Sequence, residues 1–398
     1  MATNYLIRIA ALAVTLLTAA ACIYPYEVDL AQSSEQPLVV DGDILIGGST
    51  TVKLSRVRPF GNEGTNITLI HANGYIEGED GSRVDDSFDP ARPETNQLYF
   101  DTSGLRPGQR YRLHIETYSL EEGVSNTFES DWLDVCPAPT IDGLNYSYHP
   151  EYDELWIGLS MHCNGSHYFR WSFSETWEYH SDIFTMLEFK PQTRTIGYYE
   201  GPTLYYCWNH ADSPQINIFS TVNQTEDRFE ELAFHTIPLD DKRLQVMYKI
   251  TVRLQALSEN AYNYWNNMQQ SSEEQGSIFS PTPSEMASNV HCITDPSVQV
   301  MGYLNASVPT DATLFYDNEQ NKFYKQGKYY ERYDQKVTAA RQDSLAYWYH
   351  HGYLPYQAIY ENPAPDPSHY MFAQNICIDC RRQGGTKDKP ADWPTDHL

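Results

Sequence analysis

Basic residues are scarce in this chain of 398 residues, which carries 27 Lys and Arg against 53 Asp and Glu. The formal net charge is therefore −26 at neutral pH. A surface of that sign repels phosphate backbones and anionic lipid headgroups, so nucleic acid and anionic membrane surfaces are poor partners. The acidic side chains favour a soluble globular protein whose function needs neither nucleic acid nor an anionic membrane surface.

Motifs that carry known chemistry are missing as well. The sequence has no His-Glu-x-x-His zinc motif, no Gly-x-Ser-x-Gly elbow and no Gly-rich phosphate loop before a helix. The acidic segment from Glu77 to Asp89 lacks the acid spacing of an EF-hand and is predicted to be a solvated loop. We therefore expect no catalytic residue, no metal, no cofactor and no enzymatic activity. A glycosidase-like carboxylate pair stays as an alternative, because sequence alone cannot place two carboxylates across a cleft.

Long apolar runs are absent after Cys22, and the run before it is short. Arg8 is the only charge in the first 22 residues, and Ile9 to Ala21 is uncharged. A basic start, an apolar core and small residues before a cleavage point describe a secretory signal, whereas a membrane span needs about 20 apolar residues. The cysteine after three alanines resembles a bacterial lipobox, although the usual Leu is replaced by Ala19. We predict a signal peptide over 1–21 and lipidation of Cys22, with plain cleavage as the alternative.

Cysteine is sparse, with seven residues in all. Besides Cys22, the sequence contains Cys136, Cys163, Cys207, Cys292, Cys377 and Cys380. An even number in an oxidising compartment predicts up to three disulfides. The Cys-x-x-Cys spacing at 377–380 also permits a redox or metal site. However, a structural zinc site needs a second close pair, and redox motifs usually open a helix after a strand. We therefore favour structural disulfides.

Aromatic residues and strand-like alternation are abundant, with 31 Tyr in the chain. Such residues favour β structure. Alternating segments such as Thr51–Ser55 and Tyr111–Thr117, separated by Gly and Pro turns, predict a mainly β fold. We expect a polar tether over 22–36 and an immunoglobulin-like β-sandwich over 37–135. A larger β-rich domain with one or two helices is expected over 140–398, after a boundary at Pro137-Ala-Pro139.

Two segments depart from the β pattern. Ser258 suits a helix N-cap, and Ala261, Trp265 and Met268 recur at helical spacing, which predicts a helix near 259–270 packed on a sheet. A second helix is predicted near 335–351, ending at Gly352.

A turn is predicted at residues 73–74, where Asn and Gly are adjacent.

Six stretches carry a resemblance that spans nearly the whole mature chain in order. They are Leu38-Val-Val-Asp-Gly42 with Val52-Lys-Leu-Ser-Arg56, then Tyr168 to His180, Cys207-Trp208, Leu257 to Trp265 with Gly276 to Pro283, Val300-Met-Gly-Tyr303, and Cys377 to Arg381 with Gly384, Lys389 and Trp393. Together they resemble a family of Bacteroidota outer-membrane lipoproteins called domain of unknown function 4249.

The resemblance implies a place and a partner rather than a reaction. Family members are generally encoded beside TonB-dependent receptors, which implies a lipid-anchored protein of the outer membrane, at the cell surface. The leading hypothesis is a non-enzymatic accessory to such a transporter in nutrient uptake or envelope assembly. The alternatives are a glycan- or peptide-binding surface lipoprotein and, third, a hydrolase in an unfamiliar fold.

The resemblance also divides the cysteines. Cys207, Cys292 and the two tail cysteines lie in or near family-like stretches, whereas Cys136 and Cys163 look additional. It implies that Cys207 and Cys292 pair with the tail cysteines, in an order left open, and that Cys136 pairs with Cys163.

Rigid and aromatic edges are candidates for the partner surface, because such edges make good contact sites. The aromatic strand contributes Trp171 and Trp177, whose rings are either sheet core or an exposed surface for sugar stacking. The Pro-bearing loop after the first helix contributes Ser280 and Thr282.

Overall fold

The structure is a computed structural model that describes residues 37–57, 70–87, 96–118, 125–273, 288–325, 338–361 and 365–394. Strands dominate these residues, so the predicted mainly β fold class is confirmed. Cys22, Ser280 and Thr282 lie outside the described residues.

The described elements follow one another along the chain. The first nine strands are β1 (Leu38–Asp41), β2 (Ile44–Leu45), β3 (Ser49–Arg56), β4 (His71–Gly78), β5 (Arg83–Asp85), β6 (Gln97–Asp101), β7 (Arg110–Tyr118), β8 (Ser125–Ser130) and β9 (Leu133–Cys136). The next nine are β10 (Thr140–His149), β11 (Glu154–His162), β12 (Tyr168–His180), β13 (Leu187–Lys190), β14 (Thr195–Tyr198), β15 (Tyr206–Asp212), β16 (Asn217–Ser220), β17 (Arg228–Pro238) and β18 (Met247–Ala256). The remainder are α1 (Glu259–Glu273), β19 (Val290–Cys292), β20 (Val300–Met301), β21 (Ala306–Ser307), β22 (Thr310–Asp317), α2 (Asn318–Asn321), β23 (Thr338–Ala340), α3 (Leu345–His350), β24 (Tyr353–Ile359), β25 (His369–Gln374) and α4 (Asn375–Ile378). Two 3-10 turns lie at Lys242–Leu244 and Cys380–Gln383.

The first sandwich is built from strands β1 to β9 and from three later strands. One sheet has the order β20-β1-β3-β6, and the other runs β19-β8-β7-β9-β21-β2, with β4 beside β7. Inward side chains of both sheets, such as Val52, Phe100 and Leu113, fill one buried core. Strands β19, β20 and β21 join these sheets, so residues 290–307 return to the first sandwich.

The second sandwich follows the same principle over residues 140–317. Sheet β10-β11-β17 faces sheet β15-β12-β18-β22, in which β12 also pairs with β16. Leu155 and Ile237 of one sheet pack against Tyr248 and Ile250 of the other. Alternation along β18 produces this packing, because every second side chain points into the core.

A smaller layer closes the chain on one side of the second sandwich. Strands β23, β25 and β24 form a sheet, and Phe372 packs with Leu345 of α3 and with Phe189 of the β13–β14 hairpin. The tail then crosses β15, where Trp208 and Thr386 exchange backbone hydrogen bonds of 3.0 and 2.8 Å. Trp393 ends this path, buried beside Trp208.

Three local expectations differ from the structure. Residues 77–87 belong to a β-hairpin rather than a loop, because Ile76 and Val84 pair across it and pack on the first core between the outward acids. The Asn-Gly pair at 73–74 lies within β4. The segment 338–350 forms a strand and a one-and-a-half-turn helix, since Ala340 pairs with Tyr370 and is buried.

Candidate functional site

A buried carboxylate joins the two sandwiches. Asp43 follows β1 and is 5% exposed. Its carboxylate accepts hydrogen bonds from Arg170, from Gln255 Nε2 at 2.7 Å and from the backbone N–H of Asn305 at 3.1 Å. A buried charge is tolerated only when it is paired and hydrogen-bonded. The four groups therefore fix the position of the first sandwich against β12, β18 and the segment before β21.

A cavity of about 390 Å³ lies beside this network, and we call it the junction cavity. It falls in the range of about 300–1,000 Å³ that is usual for small-molecule sites, and such sites favour domain interfaces. Its walls combine a connector from the first sandwich with the start of α1 and the segment before β21. The lining residues are Asp131, Trp132, Leu133, Asp134, Val135, Cys136, Pro137, Ser258, Asn260, Asn289, Tyr303, Asn305 and Ala306.

Two asparagines hold the walls of the junction cavity in place. Asn305 donates from Nδ2 to the Ala256 carbonyl at 3.0 Å and accepts the Ser258 N–H at 3.0 Å. Asn289 exchanges two hydrogen bonds of 2.8 Å with the backbone of Leu304. These amides are consumed by the fold, so they shape the cavity rather than offer groups to a ligand.

The remaining polar and aromatic groups face the cavity from both sides. Asp131 contacts His291 Nε2 at 3.2 Å, and Asp134 lies opposite Arg110 in the β7–β9 pair. Burial raises the pKa of Tyr303, and a hydrogen bond with Asn260 partly opposes that shift. None of the lining residues is Lys, Arg or His.

A second cavity, of about 240 Å³, lies on the outer face of β4 and β7. Its aromatic side chain, Tyr75, is covered on one face by the Arg83 guanidinium at 3.6 Å and is stacked on His114 at 4.4 Å. Arg83 also pairs with Asp85 at 2.7 Å. The groups of this cavity bind one another, which makes it a weaker ligand site than the junction cavity.

The strongest acid–base cluster lies inside the second sandwich. Oε1 of Glu175 accepts hydrogen bonds from His235 Nε2 at 3.0 Å, Arg243 Nη1 at 2.9 Å and Tyr248 Oη at 2.6 Å. Burial alone would raise the pKa of Glu175, but His235, Tyr248 and Arg243 together lower it. Burial raises the pKa of Tyr248 well above its ordinary value. A general acid or base works best with a pKa near the working pH, and the shifts of Glu175 and Tyr248 move both pKa values away from neutrality.

Three large apolar side chains are exposed at the open end of the β13–β14 hairpin, two in the segment just before β13 and one at the end of β14, and we call this set the hairpin patch. Phe184, Met186 and Tyr198 are 53%, 59% and 73% exposed. Thr185 between the first two is buried and donates to the Pro355 carbonyl at 2.8 Å, which turns its neighbours outward. Tyr198 pairs with Leu187, directly after Met186, so the three side chains occupy one end of the hairpin.

Three rings form an aromatic stack at the tip of the β10–β11 hairpin. Trp156 stacks on His149 at 4.1 Å and on Tyr152 at 5.7 Å. The polar atoms of two of these rings already contact neighbouring carboxylates. Trp156 Nε1 donates to Glu154 at 2.8 Å, and His149 Nδ1 lies 3.0 Å from Glu151. The stack is an exposed aromatic surface, although much of each ring already contacts a neighbour.

The cysteines follow the predicted pairing only once. Cys207 forms a disulfide with the tail residue Cys380, whereas Cys136, Cys163, Cys292 and Cys377 are free. Cys292 does not reach the tail, because β19 pairs with β8 in the first sandwich. Cys136 and Cys163 share one apolar cluster without a bond, and burial with nearby Asp43 and Asp134 raises the pKa of Cys136 to about 11.

The predicted partner-surface tryptophans lie mostly in the core. Trp171 packs against both buried clusters of the second sandwich, and Trp177 packs against one of them and against the disulfide. They alternate with exposed Ser172 and Ser174 along β12, so the aromatic stripe marks the inward face of a strand. Much more exposed aromatic side chains include Tyr152 of the aromatic stack and Tyr198 of the hairpin patch.

Neither the junction cavity nor the hairpin patch could be predicted from a local sequence pattern. Asp131 and Tyr303 are distant in the chain, and only the return of residues 290–307 brings them together. In the hairpin patch, Phe184 and Met186 flank a single threonine, but the exposure of an apolar side chain cannot be read from residue type alone.

The described residues contain neither a group suited to a metal ion nor a helix suited to a membrane. Among them, no group of three or more His, Cys, Asp and Glu side chains is arranged to hold a metal ion. Likewise, no helix in the described part of the chain has both the length and the apolar character of a membrane span.

Comparisons with known proteins identify a family but no activity. No curated protein matches the chain. Solved structures with some likeness include a DUF4785 family protein from Legionella pneumophila, at 9% identity and a TM-score of 0.19, covering 54% of this chain and 51% of that one. The chicken CNTN1 FN1–FN3 domains match at 13% identity and a TM-score of 0.16, and the match covers 55% of this chain and 60% of that one. This chain thus spans little more than half the length of either structure. A family model described as a domain of unknown function, DUF4249, matches residues 23–313, and the chain belongs to that family.

Proposed function

We propose that this protein is a lipid-anchored, non-enzymatic accessory of a TonB-dependent outer-membrane transporter, acting at the cell surface in nutrient uptake or envelope assembly. The N-terminal sequence supports the anchor, and the resemblance to outer-membrane lipoproteins supports the partner. The observation that supports the proposal is the hairpin patch, because large apolar side chains exposed near one another on a surface mark sites that bind other proteins, and these three residues lie at the same end of one hairpin.

The test is affinity purification of the full chain from its native outer membrane. Met186→Glu and Tyr198→Glu place charge in the hairpin patch, where desolvating it would oppose binding. We expect either variant to recover at least about tenfold less transporter, with an unchanged melting temperature.

Ile293→Glu is the matched control, because Ile293 is 52% exposed and lies on the first sandwich. This variant should recover as much transporter as wild type. Full recovery with both hairpin variants would show that the hairpin patch is not the docking surface, and absence of any transporter with wild type would refute the accessory function.

A second candidate function is the capture of a small ligand by a surface lipoprotein. The junction cavity favours it, because its polar and aromatic groups converge on one open space between two sandwiches. This function is compatible with transporter docking, since the two surfaces share no residue.

A further inference from the structure

We propose that the junction cavity binds an uncharged short saccharide. This inference rests on the second candidate function and names its ligand class, and it is independent of docking through the hairpin patch. It follows from three properties of the cavity, namely its hydrogen-bonding groups, its lack of basic residues and its aromatic walls.

The first property is the density of polar side chains in the lining that keep hydrogen-bonding capacity beyond the contacts they make within the fold, such as the Asp131–His291 contact and the Asn260–Tyr303 bond. Asp131 and Asp134 offer carboxylate oxygens from one wall, while Asn260 and Tyr303 offer an amide and a hydroxyl from the other. An apolar ligand would desolvate these groups without replacing their hydrogen bonds, which is costly. A ligand with several hydroxyl groups can bond to carboxylates, amides and hydroxyls together.

The second property is the sign of the local charge. The lining holds two carboxylates and no basic side chain. Two guanidinium groups on β7 lie next to lining residues but are already paired with carboxylates, since Arg110 pairs with Glu79 and Arg112 pairs with Glu77 and Glu129. A phosphate, a sulfate or a uronic acid would meet repulsion without a counter-charge, so the expected ligand carries no acidic group.

The third property is the pair of rings that the walls present. Trp132 lies under the Arg112 guanidinium at 4.9 Å, and Tyr303 packs on Tyr264 at 5.7 Å. Both rings are thereby held in place before a ligand arrives, which lowers the entropy cost of binding. The apolar C–H face of a sugar ring packs well on such a surface, while its hydroxyl edge reaches the polar groups.

Isothermal titration calorimetry on the full chain in detergent tests the proposal. The probes are cellobiose, maltose and N,N′-diacetylchitobiose, with cellobiouronic acid as the acidic counterpart. We expect at least one neutral disaccharide to bind and the acid to bind at least about tenfold more weakly. Asp134→Ala and Asn260→Ala should each weaken the neutral ligand about tenfold, since each removes a hydrogen-bonding group.

Two control variants separate this site from the other surfaces. Tyr152→Ala disrupts the aromatic stack and Met186→Glu disrupts the hairpin patch, and both should leave saccharide affinity unchanged. The proposal is overturned if no neutral probe binds, if the acid binds as tightly, or if affinity survives both cavity variants. Loss of affinity in Tyr152→Ala alone would assign the saccharide to the aromatic stack and also overturn it. Loss of transporter recovery without loss of saccharide affinity bears only on docking.

Discussion

Glu175 shows how single residues stabilise the second sandwich. It lies on β12 and is 5% exposed, and one of its carboxylate oxygens accepts hydrogen bonds from three donors. Because a carboxylate only accepts hydrogen bonds, His235 must carry its proton on Nε2 in this arrangement. Arg243 is in turn held by Asp241 at 2.9 Å, so the cluster is a closed set of bonds.

Removing the charge of Glu175 should therefore destabilise the protein. Glu175→Gln leaves Arg243 paired only with Asp241, and breaking a buried ion pair costs about 3 kcal/mol or more. Asp311→Asn is the matched control, because the Arg253–Asp311 pair on the neighbouring strands is nearly half exposed on each side. That exposed pair should contribute at most about 1 kcal/mol. Urea unfolding followed by fluorescence checks both values, and equal losses would contradict the prediction.

The same residue predicts a pH dependence. Burial raises the pKa of Glu175, but hydrogen bonds from His235 and Tyr248 and the charge of Arg243 lower it below 4.5 in the folded state. The unfolded chain then takes up the proton first as the pH falls. This contribution to stability is complete above the unfolded pKa and is lost as the pH falls through the folded pKa. Wild type should thus lose its stability advantage over Glu175→Gln in acid, and a constant difference down to pH 2 would contradict this.

Helix α1 is the element that ties the two sandwiches together. Ser258 Oγ accepts the Ala261 N–H at 3.2 Å, as expected of an N-cap, and Ala261 is fully buried. The Trp265 ring lies 4.5 Å from the guanidinium of Arg170, which bonds to buried Asp43. The helix therefore covers the pair that joins β12 to the first sandwich.

Truncating Trp265 should weaken this contact. Since the ring is only half-buried, we expect Trp265→Ala to cost about 2 kcal/mol, below the about 3–5 kcal/mol of a fully buried aromatic residue. Trp265→Phe should recover part of the loss by keeping a ring over Arg170. Asn263→Ala, at an exposed position of the same helix, is the control and should leave stability unchanged or slightly raised. Melting curves measure both effects, and an equal fall in the Asn263 variant would show that the loss is not specific to the Trp265 contact.

Local sequence patterns predicted the positions of strands and helices better than they predicted which strands or cysteines pair with each other. Alternation located β3, β7 and β12, and helical spacing located α1, because these periods reflect burial of one face. The return of Val290–Ser307 to the first sandwich had no local signal, since pairing over such a distance depends on the whole chain. The resemblance implied that both Cys207 and Cys292 pair with the tail. Cys207 does so, whereas β19 carries Cys292 into the first sandwich, which no local pattern indicates. The hairpin at 77–87 was missed because its acids hide the inward Ile76 and Val84.

At the scale of the whole molecule, the described residues form two sandwiches that share a joint at Asp43, with a smaller layer beyond the second. The junction cavity lies at the joint, and the hairpin patch lies at the small layer. The proposed ligand site and the proposed docking surface are therefore carried by different parts of the chain. A tether over 22–36 would let both parts reach partners while the predicted anchor holds the protein at the membrane.

The anchor itself is the last testable feature. We expect Cys22→Ala to move the protein from the outer-membrane fraction to the soluble fraction and to abolish incorporation of labelled palmitate. Each buried CH₂ of an acyl chain contributes about 0.8 kcal/mol, and two chains are needed for stable anchoring, so loss of the acylated cysteine removes the whole attachment. Cys292→Ser is the control, because it replaces a cysteine within the fold whose thiol is free and lies 3.4 Å from the Thr294 hydroxyl. That variant should stay in the membrane, and a Cys22 variant that stays there as firmly as wild type would show that Cys22 is not the anchor.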